Sequence, residues 1–147
     1  MYPAYTRSER VADGSMHAIG VTGSVLGAIL LLMWSTPVAS PWEIAAITVY
    51  AITLIATFTA SAFYHMTPWE SLRPVLRRID HAAIYLKIAG TYTPLVVMIG
   101  SGLAYVVLSV VWAMAIVGMT LKLAFWKKPG RYGPVLYLVM GLSLIHI

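Results

Sequence analysis

The fold is decided by an uninterrupted apolar stretch at residues 42–65, with the sequence WEIAAITVYAITLIATFTASAFYH. A bilayer core of about 30 Å is crossed by an α-helix of about 20 apolar residues. Further runs that meet this requirement occupy residues 17–36, 80–99 and 102–125, and a partial fifth occupies 132–147. Because lipid cannot satisfy open backbone groups, and the runs do not alternate as barrel strands do, helices are expected. The sequence therefore predicts an all-α, polytopic transmembrane helix bundle with four full spans and a partial fifth.

The composition agrees with a membrane protein and excludes several other classes. Of the 147 residues, 60% are hydrophobic and only 10% are charged, whereas a soluble domain carries about 25% charged residues. So few charges cannot cover the surface of a soluble globule, which excludes a soluble enzyme and a disordered tail. The absence of cysteine excludes a disulfide framework and a thiolate metal site.

The distribution of Lys and Arg predicts how the protein lies in the membrane. Nine of the ten basic residues fall on one side of the predicted spans: Arg7, Arg10, Arg73, Arg77, Arg78, Lys122, Lys127, Lys128 and Arg131. The positive-inside rule assigns that side to the cytoplasm. We therefore expect a multi-pass protein of the cell (cytoplasmic) membrane with a cytoplasmic N-terminus. Basic clusters between apolar runs favour membrane lipids as partners and disfavour nucleic acid. The tenth basic residue, Lys87, lies inside the third span, where it either snorkels to the cytoplasmic interface or has a functional role.

Polar side chains occupy one face of the second span and lead to its cytoplasmic end. They either pack against other helices through hydrogen bonds or line a polar cavity, with His65 as a metal ligand or base. The stripe consists of Tyr50, Thr53, Thr57, Ser61, Tyr64 and His65. Asp80 opens the third run, where its carboxylate either caps the helix or acts on a face that it shares with Ile84, Lys87 and Thr91.

The remaining histidines are weaker candidates. His81 points about 100° away from Asp80 around the helix and is expected to be interfacial. His17 opens the first run and is expected to be mainly structural. Because a zinc hydrolase needs about three protein ligands and an open position, the residues alone predict only a polar site near the cytoplasmic side.

Three motifs, taken together and in order, resemble those of one family. They are the segment from Glu9 to His17, SAFYH at 61–65, and RRIDH at 77–81 leading to AGTYTP at 89–94. This combination is similar to the haemolysin III family, the bacterial branch of the progestin and adiponectin receptor superfamily. The resemblance covers nearly the whole chain.

The resemblance implies seven helices that enclose a zinc ion near the cytoplasmic side. It implies that His65 is a zinc ligand, that Asp80 holds or shares a proton with the zinc-bound water, and that Ser61 lines the site. The two remaining histidine ligands would belong to a last helix that is absent here. The implied activity is zinc-dependent hydrolysis of a lipid amide or ester by the full-length protein. A pore-forming or membrane-lytic protein and a lipid-sensing receptor are the alternatives.

The end of the chain has an unusual sequence. Residues 142–147, LSLIHI, are what CTG TCT CTT ATA CAC ATC encodes, and that string resembles a sequencing-library adapter. We therefore expect an incomplete haemolysin III-like domain over residues 1–141 and adapter read-through over 142–147. His146 is accordingly not counted as a ligand.

Overall fold

The computed structural model describes residues 6–124 together with Leu138, Met140 and Gly141. Four α-helices follow one another, α1 (Arg7–Ser35), α2 (Pro41–Met66), α3 (Arg73–Ile99) and α4 (Gly102–Ala124). Each is long and apolar enough to cross a membrane, and the described residues contain no strand. The prediction of an all-α, multi-pass membrane protein is confirmed.

Consecutive helices pack side by side, α1 on α2, α2 on α3 and α3 on α4. Their short connections make the neighbours antiparallel, so α1 and α3 begin at the end of the bundle where α2 finishes with His65. We call this the His65 end. The turn from α3 to α4 at the opposite end uses Gly100, whose φ of 66° is a left-handed conformation that glycine adopts without strain.

The interior is built around α3, which carries more buried residues than its neighbours. Small residues allow the helix backbones to approach closely, and larger side chains fill the space between α3 and α4. The buried residues of α3 are Ala82, Ala83, Tyr85, Ala89, Gly90, Tyr92 and Val96.

Only part of the predicted fifth span is described. Leu138, Met140 and Gly141 are helical, and Met140 is fully buried. The Tyr92 hydroxyl donates a hydrogen bond to the Met140 carbonyl and approaches the Gly141 carbonyl at 3.3 Å. This segment therefore packs against α3. The rest of the predicted span lies outside the described residues. This includes residues 142–147, the expected adapter read-through that contains His146.

The helix starts differ from those predicted in two places. α3 begins at Arg73 with Pro74 in its first turn, where proline has the right φ and no N–H is needed. Asp80 therefore lies two turns inside α3, and its interpretation as a helix cap is wrong. α1 begins at Arg7, after a capping box formed by Thr6 and Glu9, so His17 lies well inside its helix.

A second capping box fixes the start of α2 and gives a testable prediction. The Glu43 N–H donates to Ser40 Oγ at 3.4 Å, and Glu43 Oε2 accepts from the Ser40 N–H at 2.7 Å. We expect Ser40→Ala to lower the free energy of unfolding by about 1 kcal/mol, measured by denaturant titration in detergent. The control is Ser109→Ala, which removes an exposed hydroxyl bonded only within α4. Equal effects of the two variants would contradict the role of the cap.

Candidate functional site

Three ligand-type side chains from α1 and α2 meet at the His65 end. Asp13, His17 and His65 each place one oxygen or nitrogen atom within 4.8 Å of the others. Asp13 Oδ1 lies 3.4 Å from His17 Nδ1 and 3.4 Å from His65 Nδ1. Asp13 and His17 share a face of α1 because they are four residues apart. The packing of α1 against α2 then brings His65 to the same carboxylate.

The hydrogen bonds of His17 fix which of its nitrogens carries the proton. Nδ1 lies 2.8 Å from the Asp13 backbone carbonyl, and Nε2 lies 3.3 Å from Ser61 Oγ. A carbonyl oxygen can only accept, so Nδ1 must donate. In the neutral ring Nε2 is then the acceptor, and the Ser61 hydroxyl donates to it. The His17 side chain is 15% exposed, which limits competition from water.

His65 is held by ring contacts rather than by hydrogen bonds. Its ring stacks on His17 with centroids 4.5 Å apart and meets the edge of Tyr64 at 4.8 Å. Its Nδ1 atom is buried and makes no hydrogen bond, which costs free energy unless a further group satisfies it. A cation bound between this nitrogen and the Asp13 carboxylate would do so. Imidazole nitrogen and carboxylate oxygen are donors that zinc accepts, so these residues fit a zinc ion.

The predicted site residues are only partly brought together. Ser61 and His65 lie at the cluster, whereas the group of ligand atoms among the described residues does not include Asp80 or His81. Asp80 is nonetheless close in level. Thr57 Oγ1 of α2 donates to the Ala83 carbonyl of α3 at 3.2 Å. The two helices are antiparallel. About one turn closer to the His65 end therefore means Ser61 in α2, four residues after Thr57, and Asp80 in α3, three residues before Ala83.

Two members of the cluster were missed or ranked low from sequence. His17, expected to be mainly structural, lies at its centre and contacts both Asp13 and Ser61. Asp13 was not selected at all. The available signal was the four-residue spacing of Asp13 and His17, which places a carboxylate and an imidazole on one face of a helix. The apolar run begins only at residue 17, whereas α1 begins at Arg7, so hydrophobicity alone leaves Asp13 outside the helix.

The polar stripe of α2 divides into two parts. Near the middle of the helix, Thr53 is buried and Thr57 bonds to the backbone of α3, as expected for interhelical packing. At the His65 end, Ser61 and His65 belong to the cluster. The interpretation as interhelical packing is therefore confirmed for the middle of the helix, whereas a polar cavity with His65 as a metal ligand or base stays a prediction.

Of the two alternatives for Lys87, snorkelling toward the interface at the His65 end is wrong. Its Nζ atom lies 4.2 Å from the centroid of the Tyr50 ring. Gly90 packs against Thr53. Lys87 precedes Gly90 by about one turn of α3, so in this antiparallel pair it lies beside residues about one turn after Thr53 in α2. To reach Tyr50 its side chain must extend away from the His65 end. The aromatic face attracts the ammonium group there through a cation–π interaction.

Comparison with known proteins connects this chain to one family. The family model described as haemolysin-III related matches residues 5–147. The chain is similar to the hemolysin-3 homolog of Bacillus subtilis (strain 168), at 32% identity over 142 residues, which is 96% of this chain and 67% of that protein. It is also similar to hemolysin-3 of Bacillus cereus, at 29% identity over 138 residues, which is 93% of this chain and 63% of that protein.

The chain thus spans about two thirds of the length of these curated relatives. No solved structure matches it.

Proposed function

The chain belongs to the haemolysin-III related family, and from this premise we propose that it forms the first helices of a zinc-dependent membrane hydrolase that acts on a lipid amide or ester. The observation that carries the proposal is the Asp13 carboxylate at 3.4 Å from each of two imidazoles. One of those imidazoles has a buried nitrogen without a hydrogen bond. Buried groups of this kind, gathered from two helices, are typical of functional sites within membranes.

In this proposal His65 and Asp13 hold the zinc ion. Bound zinc would supply Lewis-acid activation of water or of a carbonyl group. His17 is not needed as a ligand, because its Nδ1 already donates to the Asp13 carbonyl and its Nε2 accepts from Ser61. Further ligands are expected from helices beyond the described residues, as the family resemblance implies.

Asp80 and Ser61 complete the proposed site. The register of α2 and α3 places Asp80 at the level of Ser61, which supports a role for its carboxylate in accepting a proton and returning it to the leaving group. Ser61 is already hydrogen-bonded to the cluster through His17 at 3.3 Å. Both residues are half-buried, so a substrate from the surrounding lipid can approach them.

The location of the site follows from the charges around it. Six described basic residues lie at the His65 end: Arg7, Arg10, Arg73, Arg77, Arg78 and Lys122. The positive-inside rule places this end at the cytoplasmic face of the cell membrane, with the N-terminus on the same side. A site at this depth faces the headgroup region of the inner leaflet, where the amide or ester bonds of membrane lipids lie.

A second candidate is membrane lysis, which the names of the two Bacillus relatives favour. A selective pore is often lined by a ring of like charges. Among the described residues, the polar face of α2 carries Thr, Ser and Tyr instead. Metal-dependent lipid turnover without leakage of a small dye from liposomes would favour the hydrolase, and leakage without turnover would favour lysis. A lipid-sensing receptor predicts neither result.

The proposal is tested by zinc content and lipid hydrolysis in the purified full-length protein in lipid nanodiscs. We expect about one zinc ion per chain and release of fatty acid from a fluorescent lipid amide or ester. His65→Ala should remove most of the zinc and lower the hydrolysis rate at least about 100-fold. The matched control is His81→Ala, since His81 bonds to the Arg77 carbonyl on α3 and lies outside the cluster.

Two results would contradict the proposal. Unchanged zinc in His65→Ala would remove His65 from the ligand set. Hydrolysis that persists after dialysis against a chelator would show that zinc is not required.

A further inference from the structure

Three side chains at the His65 end are arranged as hydroxyl, imidazole and carboxylate. Ser61 Oγ lies 3.3 Å from His17 Nε2, and Asp13 Oδ1 lies 3.4 Å from His17 Nδ1 on the other side of the ring. We infer that Ser61 is a nucleophile activated by His17, with Asp13 positioning the imidazole, and that the site cleaves an ester or amide through an acyl group carried by Ser61. The inference rests on the proposed function for the class of substrate, but it does not require the zinc ion.

The imidazole is held in the tautomer that this role requires. A general base must present an unprotonated nitrogen to the nucleophile, while its other nitrogen is anchored. His17 meets both conditions, because Nδ1 donates to the Asp13 backbone carbonyl at 2.8 Å and Nε2 faces Ser61. The same residue, Asp13, supplies both the carbonyl and the nearby carboxylate. A structural serine in a helix commonly bonds back to its own helix, as Ser24 does to the Val21 carbonyl at 2.8 Å.

The two helices that carry the pair are in close contact beside it. Gly20 lies about one turn beyond His17, and Phe58 lies about one turn before Ser61. A Cβ atom at Gly20 would stand only 2.7 Å from the Phe58 ring, so α1 and α2 are in close contact there. Such contact on rigid helices holds a nucleophile and its base in one geometry.

The reaction balances with groups that are present. The Ser61 hydroxyl transfers its proton to His17 Nε2 as Oγ bonds to the acyl carbon. The bond between that carbon and the leaving oxygen or nitrogen breaks, and the leaving group takes the proton from His17. Water then gives a proton to His17, attacks the acyl carbon and breaks its bond to Oγ, which recovers the proton.

The negative charge that develops on the acyl oxygen during the attack must be stabilised by a side chain. Residues of α2 around Ser61 are helical, so their N–H groups are already used within the helix. The imidazole of His65, which is stacked on His17 at 4.5 Å, is the side chain that we assign to this role.

Covalent labelling of the purified chain in nanodiscs tests the inference. An alkyl fluorophosphonate reacts only with activated serines, and peptide mass spectrometry locates the adduct. We expect a single adduct at Ser61 and none at Ser15, an exposed serine of α1 whose hydroxyl bonds back to the Ala12 carbonyl. His17→Gln keeps a hydrogen-bonding side chain but not a base, and should slow labelling about 100-fold. Labelling of Ser61 at the same rate in His17→Gln, or no adduct at Ser61, would overturn the inference.

A second measurement does not depend on the phosphonate. The sequence has no cysteine, so Ser61→Cys introduces a unique thiol of nearly the same size. We expect iodoacetamide to alkylate this variant at least about 10-fold more slowly when His17→Gln is added. The same addition should leave the alkylation of Ser15→Cys, at an exposed position, unchanged. Equal rates in the Ser61→Cys pair would overturn the role of His17.

The test separates this inference from the zinc proposal. Ser61 labelling in the presence of a chelator, together with hydrolysis that also persists there, would support the serine route and contradict zinc dependence. Zinc-dependent hydrolysis by a protein that shows no Ser61 adduct would support the zinc proposal and contradict the serine route.

Discussion

Gly90→Ala is expected to prevent α2 and α3 from packing, and to reduce sharply the yield of folded protein. A Cβ atom at Gly90 would lie 2.0 Å from Oγ1 and 2.7 Å from Cβ of Thr53. Both residues are buried, and the Cβ of Thr53 cannot move without its helix. Overpacking of a core commonly costs about 1–3 kcal/mol, and contacts this short require the helices to separate. Separation would also break the bond from Thr57 to Ala83.

The measurement is the monodisperse fraction after size-exclusion chromatography in detergent, followed by the thermal midpoint. Gly23→Ala is the matched control, because a Cβ there meets nothing within 4 Å. That substitution should be neutral or stabilising, since alanine is preferred to glycine in a helix by about 1 kcal/mol. The double variant Gly90→Ala with Thr53→Gly moves the larger side chain from α2 to α3. It should recover much of the monodisperse fraction and of the thermal midpoint that Gly90→Ala loses. A Gly90→Ala protein as stable as the control would contradict the packing of α2 on α3.

The spans could be predicted from sequence, because their signal is contained in each helix alone. The run at 42–65 becomes α2 (Pro41–Met66) almost residue for residue. The starts of α1 and α3 were predicted too late because both helices extend beyond their apolar runs. Arg7 and Arg73 begin them in polar sequence, where a capping box and a proline give the start signal rather than hydrophobicity.

The site was harder to predict because it depends on how helices pair. The polar stripe of α2 identified Ser61 and His65 from one helix. Nothing in either helix alone shows that His17 meets Ser61, since that contact depends on the register of α1 on α2, which pack closely at Gly20 and Phe58. Asp13 lies in the polar first turns of α1, before the apolar run that begins at residue 17, so the hydrophobic pattern gives no sign that it faces His17.

The Asp13 carboxylate is expected to contribute most of the zinc affinity that α1 provides. It lies 3.4 Å from both imidazoles, and no other carboxylate of the described residues belongs to the group. Asp13→Asn keeps the size of the side chain but removes its charge. Because loss of even an outer-shell partner costs 10–100-fold in metal affinity, we expect zinc binding to weaken by about 100-fold or more. Equilibrium dialysis with radioactive zinc measures this directly.

The same change should appear as a loss of stabilisation by the metal. At a zinc concentration about 100 times the dissociation constant, binding stabilises the folded protein by about 2.7 kcal/mol. With affinity lowered about 100-fold, the same concentration would contribute only about 0.4 kcal/mol. Glu9→Gln is the control, since it neutralises a carboxylate one turn earlier and keeps a side chain that suits the capping box. If Asp13→Asn retains the full zinc-dependent rise in the thermal midpoint, the carboxylate serves only to position His17. The cluster would then be an ion pair in support of Ser61 rather than a metal site.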